Sequence, residues 1–156
     1  MTAGKSVLCA FADDAHHYAV EVREDIDNFN VPFQSAVMVK ASLTEKSIIK
    51  ALKYGDFYAT TGIELEDYEV SKTGIYVKLK DEGLKKSKYN HDMVYTIIFK
   101  GRMGRPLAWS TGLEAEYKLK GILDEEYVRV KVINTNYDCV MTQLVFQDGH
   151  KIVLKI

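Results

Sequence analysis

The chain has 156 residues, of which 47% are hydrophobic and 28% charged. That length supports one sizeable core or two small ones, and the composition excludes an intrinsically disordered chain. Its 21 basic and 22 acidic residues leave a net charge of −1, so no strong attraction to nucleic acid or to an anionic membrane is expected.

Residues 6–12 read as a short apolar strand that runs straight into Asp13-Asp14-Ala15-His16. On extended backbone, residues two apart point the same way, so Asp14 and His16 project together as an oxygen and a nitrogen ligand. The plainer reading is that the aspartate pair caps the next turn and the histidine is incidental. Two side chains do not hold a catalytic divalent ion, which needs at least three protein ligands and an open position. His17 points away from its neighbour and reads as solvent-facing. The apolar stretch after Lys5 is too short for a signal sequence, and no run reaches the length of a membrane span. The chain reads as cytoplasmic, with Cys9 and Cys139 as buried, reduced thiols.

Residues 17–34 are polar and read as a surface excursion. Residues 36–41 form an apolar strand, and Ser42-Leu43-Thr44-Glu45 has the form of a capping box with Ser42 as N-cap. The helix it opens turns Ile48, Ile49, Ala51 and Leu52 inward and Lys46, Lys50 and Lys53 outward, and Gly55 stops it. A strand over 56–62 follows. Strand, helix, strand in this order predicts a βαβ unit and a partly parallel sheet.

From Ile63 the texture changes. Alternation predicts strands over 75–80, 127–132 and 152–156, and further strands fit 63–70, 93–100, 114–120 and 139–146. Short strands at such spacing predict an antiparallel sandwich. The boundary at 62/63 is a shift in composition without a Gly/Ser or Pro-rich tether, dividing the chain into 1–62 and 63–156.

Several residues outside the N-terminal motif carry chemical potential. Tyr58 reads as core, and Thr60, Thr61 and Gly62 as a turn. Gly101-Arg102-Met103-Gly104-Arg105-Pro106 reads as a hairpin tip with solvated arginines, the alternative being an anion site. Lys85-Lys86-Ser87-Lys88-Tyr89 reads as a solvated loop, the alternative being a single-strand nucleic-acid groove. Trp109 is expected to be packed.

Taken in order, Gly4-Lys5, Ala12-Asp13-Asp14-Ala15-His16, Val37-Met38-Val39-Lys40-Ala41, Ala51-Leu52-Lys53-Tyr54-Gly55 and Phe57-Tyr58-Ala59-Thr60-Thr61-Gly62 form an ordered set over residues 3–62. The set resembles the C-terminal part of the PHP (polymerase and histidinol phosphatase) family. The resemblance implies an α+β chain: a βαβ remnant of a distorted (β/α) barrel, followed by an immunoglobulin-like antiparallel β-sandwich. It implies that Asp14 and His16 are the late ligands of a divalent-metal cluster of Zn, Mn or Fe, which activates water for hydrolysis of a phosphorylated small molecule or nucleotide. The family's early His-x-His motif and its middle glutamate and histidine ligands have no counterpart; the other histidines are His17, His91 and His150. Pro32-Phe33-Gln34-Ser35 also stands where a glycine-rich lead-in is expected. The expectation is therefore a fragment or shortened relative, inactive alone. It would associate through residues 1–62 with a second copy or with the missing N-terminal part of the barrel. The competing expectation is a non-catalytic β-sandwich binding module.

Overall fold

The computed structural model describes residues 8–12, 35–81, 83 and 91–146. The expected strand over 152–156 and the basic loop over 85–89 lie outside them. The described chain is mostly β: two antiparallel sheets, one short helix and no closed barrel. No helix among the described residues is long and apolar enough to cross a membrane.

The strands are β1 (Ala36–Val39), β2 (Phe57–Thr60), β3 (Leu65–Val70), β4 (Gly74–Leu79), β5 (Tyr95–Lys100), β6 (Pro106–Thr111), β7 (Glu114–Lys118), β8 (Tyr127–Asn134), β9 (Cys139–Thr142) and β10 (Val145–Phe146). The larger sheet runs β1-β2-β9-β8-β5-β6, with β10 also on β8, and the smaller runs β3-β4-β7. Period-two alternation sends Val128, Val130 and Val132 of β8 inward. They meet Ile97 and Phe99 of β5, Val140 of β9, Ile75 and Val77 of β4 and Tyr117 of β7 in one core between the sheets. The Phe99 and Tyr117 rings stack across it at 5.3 Å.

Helix α1 (Glu45–Tyr54) starts two residues later than the capping pattern suggests. Thr44 is the N-cap, its side chain accepting from the Ser47 amide, and Gly55 closes the helix in the left-handed region at φ 72°. The expected parallel βαβ unit is not present: β1 and β2 pair directly and antiparallel, with Val39 opposite Phe57. The connection does not run back along the sheet: residues 40–44 are bent, the Ala41 amide donating to the Val39 carbonyl and the Thr44 amide to the Ser42 carbonyl, and lead straight into the ten-residue helix. β2 therefore starts where β1 ends, and the Lys40 amide donates to the Asp56 carbonyl at 2.9 Å. The strand pair then continues the larger sheet through β2 and β9.

Two other elements differ from the sequence pattern. Residues 106–111 form a sixth edge-to-edge strand, opened by a proline that the sheet margin tolerates. The span 139–146 is broken at Gln143 and Leu144. There the Thr142 hydroxyl accepts from the Val130 amide at 3.0 Å and donates to the Gln143 carbonyl, replacing a rung of the backbone ladder.

Gly101 closes the base of the β5–β6 hairpin against the 123–125 turn. A Cβ there would meet the Asp124 carbonyl oxygen at 2.0 Å and Leu107 Cδ1 at 3.0 Å. Gly101→Ala is expected to destabilise the fold by about 1–3 kcal/mol, measured by chemical denaturation.

Candidate functional site

Asp14 and His16 lie outside the described residues, as do His17 and His150. The approach to them does not. Residues 8–12 lie on the outer face of the larger sheet without joining its ladder. The Cys9 amide donates to Gln143 Oε1 at 2.8 Å, and Gln143 Nε2 donates to the Cys9 carbonyl at 2.7 Å. Gln143 is buried, and its side-chain amide thus plays the part of a neighbouring strand. Cys9 Sγ sits 3.4 Å from Met141 Sδ; both cysteines are half-buried free thiols. Among the described residues no group of three or more His, Cys, Asp and Glu side chains gathers as a metal site. Gln143→Ala is expected to speed hydrogen exchange at the Cys9 amide by tenfold or so while the β8 amides keep their protection.

Among the described residues a cleft of about 310 Å³ opens beneath β1. It exists because the larger sheet is wider than the smaller one. Met38 of β1 and Tyr58 of β2 share the inner face, and Tyr58 already reaches β3, where its hydroxyl accepts from the Leu65 amide at 3.0 Å. No described strand of the smaller sheet lies beneath β1, and Met38 stays partly exposed. Leu65, Phe57 and Tyr68 complete an apolar, aromatic floor, and Asp56, Glu66 and Asp67 stand at the rim with Lys40. Tyr68 donates to Thr142 Oγ1, and burial pushes its hydroxyl up to about 12, although the Thr142 hydroxyl and the Arg129 charge pull the other way. It stays a neutral donor at physiological pH. Tyr58 packs against the core, and Thr60 and Thr61 serve the turn as the sequence indicates: the Thr60 hydroxyl donates to the Ile63 carbonyl, and Thr61 Oγ1 accepts from the Cys139 amide.

The outer face of the larger sheet has a different character towards β6. Register sets Met141, Lys131, Ile98 and Trp109 in one row across β9, β8, β5 and β6. Arg129 and Lys100 face each other in the next row. Trp109 is not packed, contrary to expectation: its residue is 70% exposed, because β6 is the marginal strand and nothing described covers that side. Arg129 Nη1 finds only Met141 Sδ, and its buried Nε and Nη2 have no acceptor among the described residues. Arg102 and Arg105 form a hairpin tip as expected, each 3.4 Å from a carboxylate, Glu126 and Asp124 respectively.

One carboxylate is fully buried among the described residues. Glu125 accepts from the Tyr117 hydroxyl and from the backbone amides of Lys120, Gly121 and Ile122, closing the crossover from β7 to β8. Burial alone would raise its carboxyl. The Tyr117 hydroxyl and the three amides outweigh that and hold it below the usual carboxylate value. Tyr117 is raised in turn, by burial first and then by the Glu125 hydrogen bond and charge. These donors make Glu125 a structural staple. A carboxyl depressed by folding stabilises the fold above its unfolded pKa of about 4.3, and that stability is lost as pH falls through the folded value. Glu125→Gln is expected to cost about 1.5–3 kcal/mol at neutral pH and to flatten the acid limb of stability against pH.

The sequence pattern did not single out Gln143, Glu125 or the cleft. Glu125 had a signal, an acid beside a Lys-Gly-Ile turn between two strands; Gln143 had none. Compared with family models, curated proteins and solved structures, the chain matches none.

Proposed function

We propose that this chain is the C-terminal part, or a shortened relative, of a PHP-type metal-dependent phosphoesterase. On this reading the two-sheet body is an immunoglobulin-like sandwich, and Asp14 and His16 are two late ligands of a divalent-metal cluster. The observation that supports it is the Gln143 clamp. It ties the chain to the larger sheet at Cys9, five residues before Asp14. When bound, the metal would activate a water for attack on phosphorus. The chain's own contribution is to position one carboxylate and one imidazole. Since three protein ligands are the minimum, the remaining ones come from elsewhere in the cluster. The substrate class is a phosphorylated small molecule or nucleotide, and the compartment is the cytoplasm.

Titration calorimetry with Zn²⁺ and Mn²⁺ is expected to give weak binding that Asp14→Ala and His16→Ala each remove. Hydrolysis of model phosphodiesters by the chain alone is expected to stay at the buffer rate. Unchanged metal binding in both variants would overturn the ligand assignment, and metal-dependent turnover lost in His16→Ala would overturn the inactivity.

A second reading, a non-catalytic β-sandwich binding module, is favoured by the antiparallel pairing of β1 with β2 and of β2 with β9. That pairing makes residues 36–60 part of the sandwich sheet. On this reading neither substitution changes metal uptake, and binding resides in the cleft or on the Trp109 face.

A further inference from the structure

Two features at opposite margins of the larger sheet complement each other in shape class and in charge. At the β6 margin, Trp109 stands exposed, with Lys131 in its row and Lys100 in the next. No carboxylate pairs with either lysine among the described residues. At the β1 margin, the cleft is lined by Met38, Tyr58 and Tyr68 and by the carboxylates of Asp56, Glu66 and Asp67, which outnumber its one lysine, Lys40, although Glu66 is also paired with Lys78 at 2.9 Å. Its volume of about 310 Å³ is at the small end for ligand pockets, roughly 300–1,000 Å³. An indole fits within that space with room to spare, and an exposed tryptophan is the residue type that most often anchors an interface.

We propose that Trp109 of one chain docks in the β1-margin cleft of a second copy, with Lys100 and Lys131 facing its acidic rim. The knob and the socket lie at opposite ends of the strand order, so one copy cannot satisfy both within itself. Such a contact is head to tail: it uses a different surface on each partner and extends to a third copy instead of closing as a two-fold dimer. A single aromatic anchor with flanking charges gives weak association, sensitive to salt because the charges sit at the surface. This inference goes beyond the phosphoesterase reading and does not rest on it.

The test uses the full chain. Trp109 is the only tryptophan, so its emission reports its own burial. With rising concentration at low salt, light scattering is expected to show mass growing past the dimer while Trp109 emission shifts to the blue. High salt is expected to reverse both. Trp109→Ala removes the knob and Asp67→Lys damages the socket; each residue is exposed, so both variants keep the fold. Each alone is expected to weaken association roughly tenfold or more. Their equimolar mixture is expected to form dimers and nothing larger, since one intact knob meets one intact socket. A wild-type chain that stays monomeric throughout would overturn the proposal. So would assembly that persists in Trp109→Ala, which would place the contact on helix α1 or the β1 edge.

Discussion

Strand β8 is the reference for everything lateral in this molecule. It pairs with β5 on one side and with β9 and β10 on the other. Its strict alternation leaves no freedom in that register: a slip of one residue would turn Arg129 and Lys131 into the core and three valines out of it. Once β8 is set, Ile98 must face Lys131 and Trp109 must face Ile98. The cationic, aromatic character of the outer face is therefore a by-product of how the inner face packs.

The two sheets differ in width, and that difference gives the molecule two unlike margins. On the β6 side, Gly112 and Leu113 carry the chain from the larger sheet to the smaller, the Gly112 amide donating to the Tyr95 carbonyl and Leu113 accepting from Leu79. That margin is covalently closed. On the other side β1 overhangs, and the overhang leaves the aromatic cleft. Cross-strand ion pairs from Glu64 to Lys80 and from Glu66 to Lys78 place charge along β3, the nearby free edge, where charge discourages further strand pairing.

Side chains take over where the backbone ladder fails. Thr142 supplies the acceptor that the Val130 amide would otherwise lack, Gln143 imitates a strand for Cys9, and Glu125 gathers three amides of a crossover. Each answers the same requirement, that a buried polar group must be paired. Each also couples segments distant in sequence. The Cys9–Gln143 pair spans 134 residues and brings residues 8–12 beside the C-terminal end of β9.

Local chemistry was legible in the sequence wherever it acts over a few residues. Alternation in β4 and β8, the glycine stop of α1, the turn at Thr60–Gly62 and the hairpin tip at Arg102–Arg105 all follow from neighbours in the chain. Three things were decided only in three dimensions. The direction of β2 came from a bent connection and a short helix that return the chain to the end of β1, which the order of elements does not reveal. The exposure of Trp109 came from β6 lying at a margin, whereas an apolar residue in a strand pattern reads as packed. The partners of Gln143 and Glu125 came from chain crossings. A buried amide or carboxylate has no sequence period of its own, because its hydrogen bonds are satisfied by whichever segment the fold brings near.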